Sequence, residues 1–241
     1  MFSIKVSNHI FQIYNKYLFV KALCYDYLIE TPGIPIYVSD EEIAAEKSAE
    51  VNAPMGYLES LAIYRKICEY LLEDDILLFH CSALELDGKA YLFTAPSGTG
   101  KSTHARLWRE RFGERLTMIN DDKPLLAIRE EGVTVYGTPF AGKENLQTNT
   151  RAPVAGIVIL HQAPENKIRR MTAREAYPML LNQTYRRKDP EGMIRTMDLV
   201  QKLCELPVYS LGCTISQEAV ELAYQALTGQ RIDENGSHKM R

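Results

Sequence analysis

Long apolar runs are missing from this 241-residue chain; the longest of note, "VAGIVIL" at 154–160, falls well short of the roughly 20 residues a membrane helix needs. A charge excess of one sign is missing too. With 28 Lys and Arg against 31 Asp and Glu, the net charge of -3 points neither to nucleic acid nor to an anionic membrane surface. Cysteine is sparse. Cys24, Cys68, Cys81, Cys204 and Cys213 are odd in number, widely spaced and without a C-x-x-C pair, which argues against a zinc site or a disulfide framework and for reduced thiols acting as small hydrophobes. The opening "MFSIKVSNHIFQIY" interrupts each apolar stretch with polar residues, unlike a secretory signal. The expectation is a cytoplasmic globular protein with no nucleic-acid and no membrane partner, without internal repeats and of ordinary apolar content.

What is present divides the chain in three. Residues 1–75 read as a small antiparallel β module with one or two helices. Its β-like runs are "FSIKVS", "YLFVKALCYDYLIE" and "IPIYVS", and its helices are "DEEIAAEKSAE" and, at 56–73, "GYLESLAIYRKICEYLLE". Residues 76–230 read as the main α/β domain, and 231–241 as a polar tail. "ILLFHCSALEL" and "KAYLFTA" flank Asp87-Gly88, a dipeptide that accepts the positive φ angles of a two-residue hairpin. The second of these strands feeds the segment with most chemistry in it, so that segment has an antiparallel neighbour. Further strands are expected at "RLTMIN", "PLLAIRE", "GVTVYGT", "VAGIVILHQ" and "PVYSLGC", and helices at 101–112, 172–182, 190–205 and 216–228.

The segment is "APSGTGKS", 95–102, which has P-loop spacing with Ala95 at the first position. Small residues there let successive backbone N–H groups turn toward phosphate oxygens, and the helix that follows aims its positive end at the same place. Ser97, Gly98, Thr99, Gly100, Lys101, Ser102 and Thr103 are therefore the candidate nucleotide-binding residues. Lys101 bridges the outer phosphates and Ser102 ligates Mg²⁺ in this reading; the bland alternative is a turn that binds nothing. Asp121 and Asp122, at the end of "RLTMIN", supply carboxylates to hold Mg²⁺ and to accept a proton, with a solvated turn or a helix cap as the alternative. Spacing does not separate their roles. His80 lies in the strand before the loop and either orients one of these acids or is a core histidine satisfied by a carbonyl. The long polar stretch 139–153 offers Lys143, Glu144, Asn145 and Arg151, any cation of which can neutralise charge on a transferring phosphoryl group.

Together "FHCSALELDGKAYLFTAPSGTGKST", "INDD", "YGTPFAGKEN" and "LPVYSLGCTISQEAVELAYQAL" resemble the HPr kinase and phosphoenolpyruvate carboxykinase superfamily, in particular its small HPr-kinase-like serine kinases, over about residues 76–228. The resemblance implies a P-loop kinase core in a mixed, partly antiparallel sheet flanked by helices, and ATP with Mg²⁺ as cofactors. It implies a catalytic centre of His80, Lys101, Ser102, Asp121 and Asp122, and assembly into a homo-oligomer. Thr103 stands where HPr kinases commonly carry Glu. The implied activity is transfer of the γ-phosphate to a serine of a protein or peptide, either an HPr-like protein or a ribosomal peptide. Two rival readings stay open at this point: a small-molecule hydroxyl kinase acting, for example, on free serine, and a non-catalytic ATP-binding partner of a peptide-modifying system.

Overall fold

The computed structural model describes residues 1–47 and 53–232. Its first element is a hairpin of β1 (Phe2–Val6) and β2 (His9–Ile13), turned by Ser7 and Asn8 at φ 46° and 69°, the positive pair that a tight hairpin turn requires. β3 (Leu28–Ile29) pairs antiparallel with β1, but β4 (Ile34–Ile36) pairs parallel with β2, so the module is not purely antiparallel. Among the described residues it carries three α-helices rather than one or two: α1 (Leu18–Leu23), α2 (Asp40–Ala45) and α3 (Met55–Leu71). The run "YLFVKALCYDYLIE" is thus mostly helical. Its aromatics mimic a strand, yet the side chains it buries, Val20, Cys24 and Tyr27, recur at i, i+4 and i+7. The helix expected over "DEEIAAEKSAE" starts at a Ser39/Glu42 capping box; residues 48–52 lie outside the described residues, as does most of the expected polar tail, 233–241.

The larger sheet is mixed. β5 (Ile76–Leu78), β9 (Leu125–Arg129) and β10 (Gly132–Tyr136) run antiparallel into the start of β11 (Arg151–Gln162). The rest of β11 pairs parallel on one side with β7 (Lys89–Thr94) and on the other with β13 (Val208–Cys213). β6 (Ser82–Leu86) and β8 (Leu116–Asn120) extend the β7 side antiparallel, and β12 (Lys167–Arg170), unmarked in the sequence, extends the β13 side. The Asp87-Gly88 turn forms as expected, at φ 53° and 78°.

Three apolar clusters hold these layers. α4 (Lys101–Phe112) and α7 (Gln217–Thr228) cover one face through Trp108, Phe112, Ala223 and Tyr224, which pack on Phe93, Val158 and Leu160. α5 (Ala173–Asn182) and α6 (Pro190–Leu203) cover the other, through Ala176, Leu180, Leu199 and Leu203. The third cluster lies under α3 and crosses the chain: Ile4, Phe11, Ile63 and Ile67 share it with Ile76, Leu125, Ala127 and Phe140. Each Val, Leu, Ile or Phe side chain among these contributes about 1.5–3 kcal/mol by leaving water, and each Ala less.

Candidate active site

β7 ends at Thr94, and the chain turns into α4 through a loop whose shape depends on two glycines, Gly98 at φ 78° and Gly100 at φ 117°. Neither would bring a Cβ within 4 Å of another atom, so glycine is needed there for backbone conformation and not for space. Gly100 caps α4 with no side-chain hydrogen bond, which leaves the first-turn N–H groups facing outward at the positive end of a 12-residue helix. Ser97, Gly98 and Ser102 are exposed, and Thr99, Lys101 and Thr103 half-buried. The Lys101 ammonium donates to Ala95 O at 3.2 Å. Burial lowers its proton affinity, and the charge of Asp122 opposes that shift, which brings the two residues within electrostatic range of each other.

The acid pair sits at the end of β8, in a turn that Asn120 builds. Fully buried, Asn120 accepts the N–H groups of Asp122 at 2.9 Å and Lys123 at 2.7 Å on its Oδ1, and donates from Nδ2 to Thr138 O and Oγ1, both at 3.2 Å. The 139–150 stretch folds over this turn, with Thr148 N–H donating to Ile119 O and Gln147 bridging to Asn120. That brings the Gly142 N–H to Asp121 Oδ1 at 2.6 Å. A Cβ on Gly142 would sit 3.0 Å from Asp121 Oδ2, so the close approach favours glycine.

The two acids differ in environment. Burial pushes Asp121 above the usual carboxylate range, against the Gly142 hydrogen bond and with some help from the neighbouring charge of Asp122. Asp122 is also pushed up by burial, but a hydrogen bond from His80 and the nearby Lys123 ammonium outweigh it and leave it below the ordinary value. His80 Nε2 lies 2.9 Å from Asp122 Oδ1, and Lys123 Nζ 3.3 Å from Oδ2. The other ring nitrogen of His80 meets Gln183 Oε1 at 3.0 Å, so the ring is fixed from both ends. His80 itself is not in a strand. The expected strand "ILLFHCSALEL" breaks after Leu78, because β5 pairs with β9 and β6 with β7, and the chain must cross between them at Phe79–Cys81.

Of the residues singled out in the sequence, the structure brings together His80, Asp121, Asp122 and Lys101. Lys143 and Asn145 line a groove that also contains Gly142 and Lys123. Arg151 does not join them: it reaches Asn8 Oδ1 at 3.4 Å and lies over the ring of Tyr136, its partner across β10 and β11, and Glu144 is exposed. Asn120, Gln183, Lys123 and Gly142 were not singled out. An Asx turn at "IND" is the local signal that could have found Asn120, whereas Gln183 lies 103 positions from His80 with no local mark. Beside the loop, Gly98, Thr99, Gly100, Thr103, His104 and Leu107 line a cleft of about 430 Å³ closed by Gln162, Ala163, Cys213, Thr214 and Ile215. His104, buried, accepts from Trp108 Nε1 at 3.0 Å.

No family model and no curated protein matches the chain. Among solved structures it is similar to the HPr(Ser) kinase/phosphatase from Coxiella burnetii, with 15% sequence identity over 39% of this chain and 71% of that one and a TM-score of 0.29. A likeness of that degree supports neither a shared fold nor a shared activity. Among the described residues no helix is long and apolar enough to cross a membrane, and no three His, Cys, Asp or Glu side chains are grouped to hold a metal ion.

Proposed function

We propose that the protein is an ATP-dependent serine kinase that moves the γ-phosphate of ATP to a serine hydroxyl of a protein or peptide. The observation that carries this reading is the His80–Asp122 pair, 2.9 Å apart at the end of β8, whose carboxylate charge acts on Lys101 at the mouth of a glycine-shaped loop. A glycine-shaped loop that opens onto a helix N-terminus favours phosphate. The nucleoside then lies in the cleft between α4 and the ends of β11 and β13. Mg²⁺ takes few protein ligands and fills its shell with water and phosphate oxygens, and Ser102 and Asp122 are a donor set of that kind. When bound, the cation neutralises charge on the transferring phosphoryl group.

The chain's own residues divide the remaining work. Asp121, whose burial raises its affinity for a proton, accepts the serine proton as the hydroxyl oxygen bonds to the γ-phosphorus and the bond to the ADP oxygen breaks. Asp122, kept ionised, faces Lys101 and the phosphates, and His80, braced by Gln183, positions it.

The test offers labelled ATP and Mg²⁺ with pooled serine peptides, an HPr-like protein or free serine in separate tubes. Label on a peptide or protein is expected, and Lys101→Ala or Asp121→Asn should each lower the rate by about 10³-fold or more while far-UV circular dichroism is unchanged. Label confined to free serine, or ATP binding with no transfer in any tube, overturns the reading in favour of a small-molecule kinase or a non-catalytic partner.

A further inference from the structure

Beside the acid pair, α1 and α3 and the 140–145 loop enclose a groove of about 470 Å³ that shares no lining residue with the cleft beside the 95–103 loop. Its walls are largely apolar: Phe19, Ala22 and Leu23 from α1, Tyr57 and Leu61 from α3, and Phe140 from the loop. Its floor is continuous with the site. Gly142 lines the groove and donates to Asp121, and Lys123 lines it and pairs with Asp122. Tyr64, stacked on Phe140 at 4.1 Å, donates to Lys123 O at 2.7 Å, which ties the groove wall to the catalytic turn. The α1 wall is fixed as well. Buried Glu59 of α3 accepts the N–H groups of Lys16 and Tyr17 ahead of α1, and the absent side chain of Gly56 lets Phe19 lie against α3.

Two features identify an occupant. Apolar surface continues outside the groove, where Leu18 is 83% exposed, Phe19 46% and Met55 42%, more than a small metabolite would cover. Lys143 at the rim is exposed and makes no ion pair among the described residues, so the charge it complements is negative. From these we infer that the groove is the acceptor-docking site. It takes a polypeptide segment that seats an aliphatic or aromatic side chain between α1 and α3, sets an acidic side chain against Lys143, and so presents its serine to Asp121. The first 75 residues are then the specificity element of the enzyme. The inference rests on the kinase reading and goes beyond it by naming the flanking chemistry of the acceptor.

The experiment uses the full chain, saturating ATP and a positional-scanning library of short peptides with a fixed central serine. Peptides with Leu or Phe and with Asp or Glu near that serine are expected to be the best acceptors. With the best of them, Phe19→Ala and Leu61→Ala should each raise KM about tenfold with kcat within twofold, the signature of lost uniform binding. Lys143→Glu should shift the preference from acidic to basic flanks, a reversal that impaired folding cannot produce. Transfer that is indifferent to the flanks and to all three substitutions overturns the groove while leaving the kinase standing. Phosphorylation of free serine in preference to every peptide also overturns it. Absence of transfer to any acceptor overturns both readings together.

Discussion

Between Ala95 and Thr103 the chain is shaped by its own backbone conformation, while between Asn120 and Lys123 it is shaped by side-chain hydrogen bonds, and the two stretches are stabilised in opposite ways. The first needs only two glycines with room around them and the start of a helix. The second is braced by Thr138 and Gly142 from the loop after β10 and by His80, itself held by Gln183 from beyond α5. A backbone cradle is local and tolerates change in its surroundings. A cross-braced turn depends on the whole fold being in place.

The sharpest way to break this contrast is Asn120→Ala. It removes the acceptor of two turn N–H groups in a buried setting, so a loss of about 3 kcal/mol in denaturant unfolding is expected. Phosphotransfer should fall far more than ATP affinity; equal losses of both would show that the two halves are not independent. A smaller effect comes from His104, beneath the loop. Burial depresses its pKa from 6.5 to about 4, so between those values the unfolded chain takes up a proton that the folded chain refuses. Stability from this group is complete above the unfolded value and lost as pH falls toward the folded one, by roughly 2 kcal/mol near pH 5. Urea unfolding at several pH values, followed by the fluorescence of the single tryptophan, Trp108, should show that slope in the wild type and a shallower one in His104→Gln; equal slopes refute it. The smallest effect is expected at the cradle. Gly98→Ala meets no atom and costs only the conformational penalty of its φ, about 1 kcal/mol, which should weaken ATP binding several-fold in calorimetry and leave transfer at saturating ATP within about twofold.

The same contrast explains what the sequence could tell. The loop, the acid pair and most strands of the large sheet were legible, because their signals are spacing, turn dipeptides and apolar runs within a dozen residues. The Asp87-Gly88 hairpin is one such case. The bracing was not legible: nothing near Gln183 marks it as a partner of His80, and the break at Phe79–Cys81 follows from β5 and β6 choosing different neighbours. Aromatic residues around Val20 gave a strand-like signal that only the tertiary packing of α1 against α3 overrides. Arg151, a plausible cation by position, is drawn instead to Asn8 and Tyr136.

The apolar cluster beneath α3 also bears on how this chain is made. The inner side chains of α3 share their cluster with Leu125, Ala127 and Phe140. At roughly 5–20 residues per second on the ribosome, α3 emerges several seconds before those partners exist. During that interval only the N-terminal strands and helices can cover its oily face, and the part that meets Leu125, Ala127 and Phe140 stays open, a condition that invites chaperone attention or premature clumping. Variants that slow synthesis between residues 75 and 140 should therefore lower the yield of soluble protein without changing the stability of the molecules that do fold.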